Sequence, residues 1–585
     1  LYLFKDTTIT KFTTAGVEQP IVAHVNAYNL GLAYDEGTTT YTFTYTSNSD
    51  AVATNIVFYQ EGREVGKVAV TAAKKGENSA QIAQAELPGF TGTPATWAVE
   101  LIGEAVANWG QLHGQTKAEL NMSRIFNAID NNPENATFQR IYLADYVRNS
   151  AQSGLYIVNP DYTMPSTTPM LGGNAMFGCL YRIALDEEGY VYMPDWTDAN
   201  SGVYIANPND FSTFPNFFQY DNRTSAGVMS KGGVEVGSST PAVNVYGKGA
   251  DTKLIVYNED PGSTLVTNGL CIYNIGQADG SIVRTWDKAP SKVLSIPGQA
   301  NSEGNVLGTA RGIWVSQNRS AGNNNGSATS LQFFDWNGNK KFSSAVDPYK
   351  DVIIGSEGSA FALSADEKML VLNGEEQNFL VFDIEWNEDT PVLTLRYSFK
   401  HGFGSSTTNA FRQLSFDYGG NLIATGDPGF YVFTMPTDKN LTVVPAKSAL
   451  TVEKPFSGHV EGVLLDHEDA TIIKGQTLNL AATVMPKAAT NKNITWSTSN
   501  EAVATVADGV VSALASGKAN ITVTTEEGSF VATCAVTVIN PVTGITLDKT
   551  EAAMTKGQTL TLTANVVPAD ADNKNIIWTS SNTAA

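Results

Sequence analysis

Five acidic side chains in the middle of this 585-residue chain share one kind of position. Asp145, Asp195, Asp260, Glu375 and Asp427 each fall where a short apolar run, readable as a β-strand, gives way to a turn. Carboxylates converging from successive strands are hard oxygen donors, suited to a cation such as Ca2+ or to the hydroxyls of a sugar. Trp196 follows Asp195 directly, and an aromatic face beside carboxylates is a platform for a sugar ring. Asp at a strand exit is also ordinary turn chemistry, its side chain bonding the backbone two residues on. A ligand-binding ring and a set of turn residues are therefore both open readings of the same five positions.

Little else in the sequence points to catalysis. His24, His113, His401, His459 and His467 are scattered, and no HExxH, GxSxG or phosphate-cradling glycine loop occurs. The Ser-x-Asp-x-Gly-x-Thr-Trp boxes of sialidase-type propellers are absent. No catalytic residue is assigned, and no metal; no cofactor is required, Ca2+ being the ion an acidic ring would accept. Cys179, Cys271 and Cys534 lie far apart without a CxxC, so they read as small buried apolar residues. Lys and Arg number 37 against 58 Asp and Glu, a net charge of −21 that excludes nucleic acid as a partner. No apolar run approaches the ~18 residues of a membrane span.

The elements that must position these residues are strands. Short alternating runs bounded by Gly, Asn, Asp and Pro dominate, which predicts an all-β chain. Between residues 106 and 440 an apolar strand recurs six times, at Gly154 to Pro160, Gly202 to Pro208, Leu270 to Asn274, Leu331 to Asp335, Leu380 to Asp383 and Phe430 to Thr434. Each follows another short strand, and several of those follow a third that closes on Asp and a tight turn. Radial repetition of such sheets is a β-propeller, here of six blades, with residues 208 to 241 as an insertion. Strand direction alternates within a blade, so the loops leaving every second strand, and the five acids with them, open on one face. The turns Asp186-Glu187-Glu188-Gly189 and Asp417-Tyr418-Gly419-Gly420 resemble the blade turns of NHL-type propellers.

Upstream, residues 1 to 105 hold five or more short strands, among them the alternating Thr40-Tyr41-Thr42-Phe43-Thr44-Tyr45, and read as an immunoglobulin-like or fibronectin-like sandwich with Trp97 in its core. Residues 441 to 459, with Pro445, Pro455 and Gly458, read as a linker. After it Lys474-Gly475-Gln476-Thr477-Leu478 returns as Lys556-Gly557-Gln558-Thr559-Leu560, and the same offset maps Trp496 onto Trp578. One offset sustained over many residues means tandem modules. The run from Lys474 to Val506, the Gly509 to Ala513 element and the Gly517 to Val523 strand resemble the bacterial immunoglobulin-like group 2 domain, with one module at 460–540 and part of a second at 541–585. Half a sandwich buries too little core to stand alone, so the sequence is expected to continue in its natural context.

The resemblance implies a bacterial, extracytoplasmic setting and a spacer or adhesive role. The expected whole is a cell-surface or secreted binding protein whose propeller recognises a glycan or protein and whose group 2 modules form a stalk. Two alternatives carry different tests: a propeller hydrolase, lyase or lactonase acting on carbohydrate, and a structural component of a surface appendage or phage particle.

Overall fold

The computed structural model describes residues 2–5, 8–11, 21–35, 38–88, 94–146, 153–172, 178–258, 263–265, 269–296, 304–316, 331–344, 349, 360–374, 377–403, 411–450, 460, 462–485, 489 and 491–580. Among these, strands carry the architecture, and the longest helix is the single turn Lys117–Leu120, its N-terminus closed by reciprocal side-chain bonds between Thr116 and Glu119.

The first unit is a two-sheet sandwich. One sheet pairs Ala27–Asp35, Thr40–Ser47 and Gly76–Ala83; the other runs in the order Leu441–Leu450, Ala95–Ile102, Ala53–Gln60, Arg63–Val70. Alternating side chains of both sheets meet in a core where Trp97 is fully buried and packs edge-on against Phe43, ring centroids 4.9 Å apart. The expected linker is corrected here: residues 441–450 are an edge strand of this sandwich, and Ser448 Oγ accepts a 3.0 Å bond from Trp97 Nε1. Pro445 is tolerated because an edge strand has an unpaired side on which a missing N–H costs nothing. Residues 451–459 lie outside the described residues.

Everything between Ile102 and Leu441 is thus inserted between two neighbouring strands of one sheet. The outgoing and returning segments are bonded to each other, Gly103 N to Asn440 O and Val106 to Thr437 in both directions.

The insertion is a six-bladed propeller. Blade 1 is Ile125–Ile129, Ile141–Asp145, Gly154–Val158 and Leu171–Gly172; blade 2 has three strands, Ala184–Leu185, Val191–Asp195 and Gly202–Ala206. Blades 3, 4 and 5 begin with inner strands Ala242–Tyr246, Asn305–Gly308 and Phe361–Leu363 and have four strands each. Blade 6 takes Phe411–Phe416, Leu422–Gly426 and Gly429–Thr434 from the end of the insertion and Gly110–Thr116 from its start, which locks the ring. A separate apolar core fills every junction between neighbouring blades, the sixth-to-first included. The six recurrent runs of the sequence are the third strands of the six blades.

Residues 208 to 241 contribute the three-stranded meander Asn222–Arg223, Met229–Lys231, Val234–Gly237. Phe217 and Phe218, ahead of it, are buried against Tyr273 and Trp286 of blade 3. The first turn of a blade is held by its Asp: Asp186 Oδ1 accepts from Glu188 N and Tyr190 N, and Asp417 Oδ1 accepts from Asn421 N.

The C-terminal module pairs Asp469–Ile473, Val531–Ile539, Gly517–Thr525 and Ile494–Thr498 in one sheet and Thr477–Asn479, Val510–Ala513 and Ala504–Ala507 in another. Trp496 lies against both of its apolar clusters. Its counterpart in the repeat, Trp578, is 52% exposed, and the paired strands described beyond residue 541 are Gly544–Leu547 and Ala564–Val567.

Candidate functional site

The second strands of blades 1, 2 and 6 end at one face of the propeller and set Asp145, Asp195 and Asp427 there. Asp260 and Glu375 fall outside the described residues. The three described acids do gather, yet not as an open ring. Asp145 is fully buried, its Oδ1 accepting from Ser123 N at 3.0 Å and Arg124 N at 3.2 Å while Oδ2 meets no partner. Burial pushes its carboxyl up to about 6, the two backbone bonds only partly opposing the rise.

Asp195 is equally buried and fully engaged: Gly178 N, Cys179 N, Thr197 N and Thr197 Oγ1 all donate to it. Burial raises its carboxyl above the ordinary range against the pull of those bonds. Asp427 accepts at Oδ1 from Arg124 Nε at 2.9 Å and at Oδ2 from Arg412 Nε at 3.1 Å and a terminal guanidinium nitrogen at 2.8 Å. Burial alone would raise this carboxyl as well; the bonds and charge of Arg412 and Arg124 outweigh it and hold it below the usual range.

The three described acids therefore form no open ring of exposed carboxylates. Asp195 with both oxygens and Asp145 with one hold the chain that leaves or enters their own blades, and Asp427 is an ion-pair partner. Among the described residues no group of three or more His, Cys, Asp or Glu is placed to hold a metal.

What the sequence reading missed is the cationic half of the cluster. Arg124 and Arg182 stand just ahead of the inner strands of blades 1 and 2, and Arg412 lies at the start of the inner strand of blade 6. Arg124 lies over the Tyr146 ring, 5.0 Å from its centroid, and donates to Tyr181 Oη. Arg182 is fully buried between the Phe126 and Tyr181 rings and donates through Nε to the Arg412 carbonyl. Trp196, half-buried, packs on Tyr181 with ring centroids 5.4 Å apart. Thus Tyr181 and Arg124 join Asp145, Asp195, Trp196 and Asp427 into one continuous patch across blades 6, 1 and 2. It sets the guanidinium groups of Arg124, Arg182 and Arg412 beside the carboxyls of Asp145, Asp195 and Asp427, so it carries no surplus of negative charge to draw a cation and offers donors to a hydrogen-bond acceptor. The available signal was an arginine at the start of an inner strand in three blades, at the same end as the acids.

Two of the described histidines are held by neutral partners. His24 sits between the Gly419 and Met435 carbonyls where the sandwich meets blade 6. His401 is buried against Asn373 Oδ1, and burial drives its ring down to about 3.

The C-terminal architecture has a known counterpart. Residues 459–536 and 541–585 match the bacterial Ig-like domain (group 2). An Ig-like virion protein of Serratia phage KSP90 is 29% identical over 196 residues, 31% of this chain and 75% of that protein. An uncharacterized protein of Clostridium acetobutylicum is 36% identical over 121 residues, and an alpha-L-arabinofuranosidase of Bifidobacterium longum 42% identical over 85 residues. The chain spans only 12% and 8% of the lengths of these two. Among solved structures, a gluconolactonase of Xanthomonas campestris has a TM-score of 0.35 at 12% identity, covering 57% of this chain and 90% of that one.

Proposed function

We propose that this is a bacterial cell-surface or secreted binding protein in which the propeller is the recognition head and the group 2 modules are the stalk. The observation that carries this reading is the double anchorage of the propeller in the sandwich, which presents one rigid disc face to the surroundings. The face available for a glycan or protein ligand is that of Trp196 and Arg124, held in place by the buried Tyr181 and Asp427. In this reading the chain binds its ligand without turning it over, needs no cofactor, and works outside the cytoplasm.

The test is capture by the intact chain on glycan and protein arrays, repeated with Arg124→Ala and Trp196→Ala. Loss of the captured ligands in both variants supports the loop face as the site. Capture that survives both, with the fold intact by circular dichroism, removes it. A second reading, a building block of a virion or surface appendage, is favoured by the phage virion relative. Ordered self-assembly of the purified chain in electron micrographs, without ligand, would select it.

A further inference from the structure

Inside the ring of inner strands lies a cavity of about 600 Å3 that the loop-face patch does not use. All six blades contribute to its wall, from Asn127 in blade 1 to Gln413 in blade 6. Its volume falls within the range of small-ligand sites, roughly 300–1,000 Å3, and its walls combine aliphatic and Phe side chains with a few polar groups, as such sites do. On the side of blades 6, 1 and 2 its deep end is bolted shut. Gln413 Nε2 donates to Ile183 O, Asn127 N donates to Gln413 Oε1, and Asn127 Nδ2 donates to Thr425 Oγ1. Beyond that layer sits the buried Arg182, which is not part of the lining. The cavity instead extends to the first turns, Asn131 and the run from Asp417 to Gly420, where the sandwich packs.

The chemistry of the wall differs from that of the loop face. Among its described residues the one charged side chain is Asp417, and its carboxylate is already taken by Asn421 N, Asn421 Nδ2 and Tyr162 Oη. The remaining polar groups, including Asn244, Asn305, Ser364 and Ser415, are uncharged. A charged ligand would lose its hydration here without gaining a counter-ion, a cost of several kcal/mol. A neutral ligand rich in hydroxyls would lose little, because each hydroxyl both donates and accepts.

The sandwich also shapes the mouth. Gly420 holds a left-handed φ of 99°, and a side chain there would start 3.0 Å from His24 Nδ1. One on Gly419 would start 3.2 Å from Asn26 Cβ. Asn26 is itself fully buried behind this turn with neither Oδ1 nor Nδ2 bonded. A buried amide left so is a place for water, and Asn26 stands behind the lining rather than in it.

We propose that this cavity is a second binding site, distinct from the loop face, that takes a small neutral saccharide entering beside the sandwich. The proposal rests on the propeller being the recognition head, and the experiment separates the two. Glucose, galactose, mannose, xylose and arabinose, with their neutral di- and trisaccharides, are titrated into the intact chain by calorimetry and saturation-transfer NMR beside glucuronate and galacturonate. Ser415→Trp and Met369→Trp fill the cavity from two different blades, and Trp196→Ala alters only the loop face.

The expected result is binding of at least one neutral sugar but neither uronate. Each filling variant should weaken that binding about tenfold or more, while Trp196→Ala leaves it within about twofold. No neutral sugar bound, uronates bound as well as neutral sugars, or unchanged affinity in both filling variants with native circular dichroism, overturns the cavity site. If ligands captured on the arrays are still lost in Trp196→Ala, the recognition-head reading stands without it.

Discussion

Replacing Asp145 by Asn should make the propeller more stable at alkaline than at acid pH, relative to the parent chain. Asp145 is the buried acid whose second oxygen has no partner. Burial lifts its carboxyl from 3.8 to about 6. Below pH 3.8 the group is protonated in folded and unfolded chains alike and costs nothing. As pH rises through about 6 the folded chain must hold an anion out of water, so stability is lost over that window and stays lost above it. The gap, at about 1.4 kcal/mol per pH unit, is worth roughly 3 kcal/mol. Asn keeps the acceptor for Ser123 N and Arg124 N and removes the ionisation. Its unbonded amide group costs about 1–3 kcal/mol, but equally at every pH.

The informative quantity is therefore the variant-minus-parent difference in unfolding free energy, measured at pH 4 and at pH 8. It should rise by about 2–3 kcal/mol between the two. Guanidinium unfolding of the intact chain followed by tryptophan fluorescence measures it, with Trp314→Phe marking the propeller transition. A difference that stays flat, or falls, would refute the account of Asp145 as a buried and poorly ionised group.

Two further substitutions probe the architecture. Asp427→Ala leaves Arg412 and Arg124 facing each other without their carboxylate, and should cost about 3–5 kcal/mol at pH 7. Because that carboxyl is held below its ordinary range, the loss should shrink as pH falls through the folded value; an acidic cation site would instead predict relief of repulsion and a more stable metal-free chain. Trp97→Ala should cost about 3–5 kcal/mol through the cavity it leaves. Hydrogen exchange should then show amides of Ala95–Ile102 and Leu441–Leu450 losing protection together, whereas a free linker at 441–450 would show no change.

The periodic parts of this fold were legible because each repeats a local pattern. Apolar runs ending in Asp and a turn mark the blades, since the Asp side chain closes the turn that the next strand needs. The group 2 module was legible because its turn and strand residues recur at one offset. Non-local pairing was not legible. Leu441–Leu450 buries Thr442, Val444, Ala446 and Leu450 in strand alternation, but Pro445 masked that pattern, and its partner lies more than 300 residues earlier.

The strand Gly110–Thr116 likewise finds its place only by closing the ring. At the loop face the acids were found and misread, because an Asp at a strand exit looks the same whether it faces solvent or its own backbone. Arg182 and Arg412 decide the character of the patch, yet nothing local in the sequence says that three blades bring them together.

The insertion of the propeller between adjacent sandwich strands also has a mechanical meaning. A head joined by a single crossing would swivel about one chain, and a pull on it would run through one covalent strand. Here a pull entering from the C-terminal side reaches Leu441–Leu450 and divides. Part passes along the chain into blade 6, and part crosses the ladder to Ala95–Ile102 and enters the ring beside Gly110–Thr116. These two entry strands are themselves paired within blade 6. Tension therefore clamps the disc at a fixed tilt, where a single hinge would let it spin.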